Sequence, residues 1–241
     1  GGINSASNTT ATLDEVTITS DAKSTVSFTT GSTGLTITKI DASASLGTNT
    51  FDLTSVGAAT TVTLGAAKKN TITTEVDLAD EITLAVGAGE DVYKILNDTT
   101  AADKIYNFEA GDGGDTIQID VSELGDGGIE NFASTAMSSA YAVAFGQDDA
   151  GLLVETENNV LALDNVLVLT NTYANIAAVI VAMDLDAEAN VGGLLDDDDA
   201  LVLWTNGSDS FLSTATANGA DGEDYNAGAD LVQLMNTTVT D

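Results

Sequence analysis

The chain has 241 residues and a formal net charge of −32, from 38 acidic and 6 basic side chains, and it contains no His, Cys or Pro. Without His or Cys no His-dependent triad or thiol nucleophile can be built, and zinc loses its preferred nitrogen and sulfur ligands. All six basic residues are lysines and none follows Lys104, so phosphate neutralisation, and with it nucleic-acid binding, is excluded and anionic membranes are disfavoured.

The opening Gly1-Gly2-Ile3 lacks an initiator Met and reads as part of a longer or processed chain. No basic-then-apolar signal segment opens it, and no apolar run approaches the roughly 20 residues of a membrane helix. The first 120 residues carry short β-type segments with apolar centres at Val16, Val26, Ile37, Val62, Ile72, Ile82 and Val92. Thr alternates with the apolar positions, as in Val62-Thr63-Leu64 and Ile82-Thr83-Leu84, the period of a half-buried strand. Gly, Asn, Ser and Asp lie between the segments as turn formers.

The last four centres are ten residues apart, too close for a crossover helix. Antiparallel hairpins of a sandwich and successive rungs of a parallel coil both satisfy this spacing. The similar turn composition on each side favours the coil. The absence of Pro agrees with strands that all pair through backbone N–H groups.

From about Val121 the pattern changes. Short runs at residues 142–145, 152–154, 166–169 and 201–204 read as strands between acidic loops. The spacing of Ile176, Val179, Ile180 and Met183 predicts a helix from Thr172 to about Met183, with Asn171 or Thr172 as N-cap. Asn206-Gly207-Ser208-Asp209 reads as a turn, and the acidic run of residues 196–199 as a solvated loop.

A charge of −32 repels itself unless counter-ions relieve it, and the patterned apolar residues argue against disorder. Specific divalent cations are the expected answer. One motif bears on it: Val86-Gly87-Ala88-Gly89-Glu90-Asp91-Val92-Tyr93-Lys94. Glycines permit turn conformations closed to other residues, Asp91 adds a carboxylate, and Tyr93 starts the next strand. One such turn supplies only part of the six to eight oxygens that Ca²⁺ requires, so a neighbouring turn must complete the set. The partner turn expected on the same edge contains Asp112, Gly113 and Asp115. On the opposite edge Asp80 is expected to face Asp103 in the same way.

The segment resembles the nonapeptide of repeats-in-toxin (RTX) proteins, G-G-x-G-x-D-x-U-x, with Gly87, Gly89, Asp91 and Tyr93 matching and Val86 in place of the first Gly. Residues 103–120 are similar to the stretch that closes RTX β-rolls, and the rest of the chain to the C-terminal region of type I-secreted proteins, bacterial S-layer proteins among them. The resemblance implies calcium-driven folding outside the cell, a parallel β-roll and an uncleaved C-terminal secretion signal.

The reading for the whole chain is all-β: a right-handed parallel β-roll or β-helix over residues 1–120. A mostly β capping, secretion-associated domain with one short helix follows over 121–241. The expected function is a non-catalytic, calcium-binding structural segment of a secreted bacterial cell-surface protein, S-layer or adhesin-like. Self-association is expected, with cell-surface polysaccharide as a further partner. The alternative is the non-catalytic secretion and folding tail of a type I-secreted protease or lipase. The expected Ca²⁺ ligands are Asp80, Gly87, Gly89, Asp91, Asp103, Asp112, Gly113 and Asp115.

Overall fold

The structure is a computed structural model. It describes residues 3–4, 11–19, 24–29, 35–65, 69–74, 78–86, 91–96, 101–109, 114–120, 145–147, 152–155, 166–187, 199–218 and 224–237. The chain divides into two compact units, with the boundary between Ile119 and Asp120.

The first unit is a parallel β-coil. One sheet stacks β1 (Ile3–Asn4), β4 (Ser24–Thr29), β7 (Asn49–Asp52), β9 (Asn70–Thr74), β11 (Val92–Leu96) and β13 (Thr116–Asp120). The other stacks β3 (Val16–Thr17), β6 (Lys39–Ala42), β8 (Thr61–Leu64), β10 (Glu81–Thr83) and β12 (Asp103–Tyr106). A third, short sheet pairs β2 (Ala11–Leu13) with β5 (Leu35–Ile37). The pairings in all three are parallel, which decides between coil and sandwich.

Each turn of the coil gives one strand to each main sheet, so the ten-residue spacing from Val62 to Val92 is half a turn. Two inward columns form the core. Ile40, Val62, Ile82 and Ile105 are in register along one sheet. Phe51, Ile72 and Tyr93 are in register along the other. All seven are buried, and burying each aliphatic side chain is worth roughly 1.5–3 kcal/mol.

The column differs from the spacing scheme in two places. Phe51 belongs to it although the scheme passes over it, and Tyr93 rather than Val92 pairs with Ile72. The reason is the pleat: Asp91 faces inward at the start of the strand, and the next inward position is two residues on.

The second unit is a mostly antiparallel sheet in the order β14 (Phe145–Gln147), β15 (Leu152–Glu155), β16 (Val166–Thr172), β17 (Asp199–Thr205), β18 (Ser210–Asn218), β19 (Asp224–Met235). Residues 142–144 of the expected first strand and residues 196–198 of the acidic run lie outside the described residues. The β16–β17 pair is parallel and is bridged by the helix α1 (Ile176–Ala187). This is the crossover that two parallel neighbours require.

The helix starts later than its periodicity suggests, because Thr172 is still paired with Thr205 in the sheet. The N-cap is Asn175, not Asn171 or Thr172. Its Oδ1 accepts the Ala178 backbone N–H at 3.0 Å, and its carbonyl accepts from Val179. Val179 and Ile180 are buried, and α1 packs against β19. The β17–β18 hairpin closes on residues 206–209, where Asn206 Oδ1 accepts the backbone N–H groups of Ser208 and Asp209. No helix among the described residues is long and apolar enough to cross a membrane.

Candidate functional site

The two corners of the coil are built from one local rule. The residue just before or at the start of a strand points inward, two positions ahead of a core residue. At the first corner these residues are Asn49, Asn70, Asp91 and Asp115, leading to Phe51, Ile72, Tyr93 and Ile117. At the second they are Thr60, Asp80 and Asp103, leading to Val62, Ile82 and Ile105. All seven polar residues are buried. A buried polar group must find hydrogen bonds, and here Asn70, Asp91, Asp115, Thr60, Asp80 and Asp103 each find one on the preceding turn, while Asn49 bonds within its own loop and to the next turn.

At the first corner, Asn49 Nδ2 donates to Asn70 Oδ1 (3.0 Å) and to the Gly47 carbonyl (2.9 Å), while Asn49 Oδ1 accepts from Ser45 Oγ (3.2 Å). The Asn70 backbone N–H and Nδ2 both donate to Asp91 Oδ1, at 2.7 and 3.0 Å. The Asp91 backbone N–H donates in turn to Asp115 Oδ1 at 3.0 Å. Asp115 Oδ2 accepts the Glu109 backbone N–H at 2.8 Å. One oxygen is left over: Asp91 Oδ2 is buried and makes no hydrogen bond. Burial raises the Asp91 carboxyl from its ordinary value, against the donors from Asn70 and the backbone N–H of Ala85. Burial also pushes Asp115 up to about 6, with the neighbouring Asp91 and Glu109 charges adding to it.

At the second corner the Thr60 backbone N–H donates to Asp80 Oδ1 (2.6 Å), and the Asp80 backbone N–H to Asp103 Oδ1 (2.6 Å). The other oxygen of Asp103 reaches into the core. It accepts from the Tyr93 hydroxyl and from Thr74 Oγ1 (3.2 Å), and those two hydroxyls lie 2.9 Å apart. Burial, followed by the Asp103 charge, raises the Tyr93 phenol well above its ordinary value. The two corners therefore differ. Asp103 has hydroxyl donors across the coil, whereas Asp91 Oδ2 has no hydroxyl donor and makes no hydrogen bond, the Ala85 backbone N–H being the further donor near this carboxyl.

No family model, curated protein or solved structure matches this chain. The site is accordingly argued on its own chemistry.

Of the expected ligands, the structure stacks Asp91 with Asp115 and Asp80 with Asp103, the two pairings anticipated from the turns. Gly87, Gly89, Asp112 and Gly113 lie outside the described residues. Among the described residues no group of three or more acids is arranged to hold a metal ion. The Asp80 and Asp103 carboxylates each have an oxygen committed to a backbone amide of the preceding turn. Asp91 retains one buried oxygen, Oδ2, without a hydrogen bond.

The sequence reading missed Asn49, Asn70 and Thr60 as members of the same ladders. The signal was present: Asn49-Thr50-Phe51 and Asn70-Thr71-Ile72 repeat the Asp91-Val92-Tyr93 pattern with an amide in place of the acid.

Proposed function

We propose that this chain is a non-catalytic, calcium-stabilised structural segment of a secreted bacterial cell-surface protein, S-layer or adhesin-like. One observation carries the calcium in this reading: Asp91 is stacked in line with Asp115 and holds a buried oxygen without a hydrogen bond. An unpaired buried carboxylate costs several kcal/mol unless it is protonated or meets a cation. Lys39 and Lys104 are engaged elsewhere. Lys39 pairs with Glu15 and Asp41, and Lys104 with Glu81; Asp41 is half-buried and the other side chains are exposed.

Ca²⁺ suits oxygen donors in a flexible turn, and an affinity on the order of 10⁻⁴ to 10⁻³ M, as in extracellular modules, would delay folding until after export. Export by a type I system and self-association at the surface belong to the same proposal. The resemblance of residues 86–120 to RTX turns supports them.

The test is a calcium titration followed by calorimetry and by metal analysis of the dialysed protein. The expected result is bound calcium and a melting temperature that falls in chelator and recovers with Ca²⁺. No bound calcium together with an unchanged melting temperature overturns the reading.

A further inference from the structure

The first-corner ladder changes chemistry along its length. Asn49 and Asn70 are amides, with a donor and an acceptor on each side chain. Each can therefore donate to the next turn and accept from another group, and both do so. Such a column closes on itself without charge. From Asp91 onward the residues are acids, which when ionised only accept. Asp91 Oδ1 satisfies Asn70, but no side-chain donor leaves Asp91 for Asp115, and Asp91 Oδ2 stays unmet at 2% residue exposure.

Resting on the calcium reading above, we infer that the ladder divides the coil into two folding sections. The turns closed by Asn49 and Asn70 form without a cation. The turns closed by Asp91 and Asp115 form only when a divalent cation meets the open carboxylate. The cation then acts as a switch on β11 and β13, while β7 and β9 provide the standing template on which those strands are laid down. Asp103 carries no open oxygen of its own, since Tyr93 and Thr74 donate hydroxyls to it, but Tyr93 lies on β11, so β12 is expected to follow β11 when the cation is removed.

Hydrogen exchange of the full chain, in Ca²⁺ and in chelator, tests this strand by strand. Amides of β7 and β9 are expected to keep their protection in chelator. Those of β11 and β13 are expected to exchange about 10- to 100-fold faster, the factor set by one unmet buried oxygen.

Two variants reverse the chemistry. Asp91→Asn gives the column one more amide, whose Nδ2 can donate to Asp115 Oδ1 as Asn70 Nδ2 now does to Asp91. It is expected to keep β11 protected in chelator. Asn70→Asp extends the acidic section and is expected to make β9 depend on Ca²⁺ as well.

Loss of protection in β7 and β9 equal to that in β11 overturns the division while leaving calcium binding intact. Chelator-sensitive exchange in Asp91→Asn equal to that of the parent chain, or an unaltered β9 in Asn70→Asp, also overturns it. Exchange unaffected by chelator anywhere, with no calcium bound, removes the calcium reading and the division together.

Discussion

Gly65 shows how closely successive turns stack. A Cβ at this position would lie 2.4 Å from the Ser45 carbonyl oxygen, 2.6 Å from that of Ala42 and 2.7 Å from that of Ser43. All three are backbone atoms of the turn before, so no side chain can rotate away. Gly65→Ala is expected to destabilise the first unit by about 1–3 kcal/mol through overpacking, read from the midpoint of denaturant unfolding. Asp115 gives the second residue-scale prediction. Its carboxyl is pushed up to about 6 by burial, above the ordinary range, so the folded chain binds a proton that the unfolded chain has released. Where the native state holds more protons, stability falls as pH rises. In chelator the melting temperature should therefore increase as pH is lowered from 7 toward 5. Asp115→Asn should flatten that slope, and a slope unchanged in the variant assigns the effect to other groups.

At the scale of elements, the alternation of apolar and Thr residues was enough to place β8 and β10, because period two is a local property of the chain. Which strand pairs with which is not local. The ten-residue spacing fits a hairpin stack and a coil equally; the similar turn composition favours the coil, and the recurrence of a polar inward residue two positions before each core residue marks it more specifically. Asp80-Glu81-Ile82 and Asp103-Lys104-Ile105 carry that mark as plainly as Asn70-Thr71-Ile72, but an acid read as a metal ligand conceals its role as a backbone cap. The strands β18 and β19 were not legible as a pair. Their pairing shifts register between Leu212 and Ala215, and such a bulge breaks the strict alternation by which a strand is recognised. The helix α1 was legible from its apolar spacing, yet its start was not, since β-pairing of Thr172 overrides a local capping preference. The assignment of Asn175 as N-cap predicts that Asn175→Ala costs about 1 kcal/mol. Asn171→Ala should cost less at the helix terminus, and a cycle of both variants by thermal unfolding separates them.

For the whole molecule, two kinds of cation effect are superimposed on a charge of −32. Diffuse screening relieves the repulsion among exposed acids. It depends on ionic strength, with a Debye length of about 10 Å at 0.1 M, and not on which cation carries the charge. Site binding depends on identity, because Ca²⁺ accepts a flexible oxygen shell whereas Na⁺ gains little from one buried carboxylate. The lysines lie at or before Lys104 and 25 carboxylates follow it, so screening should act mainly on the second unit. Asp91 and Asp115 place the proposed site in the first. Sodium chloride added in chelator is therefore expected to raise stability gradually, with the second unit, reported by the buried Trp204 stacked on Phe211, responding most. At fixed ionic strength, millimolar Ca²⁺ is expected to give a saturable rise in first-unit stability of RT ln(1 + [L]/Kd). Replacing Ca²⁺ by Na⁺ at equal ionic strength should abolish that rise. If the two salts act identically at matched ionic strength, the acidity works by screening alone and the open oxygen of Asp91 is met by a proton instead.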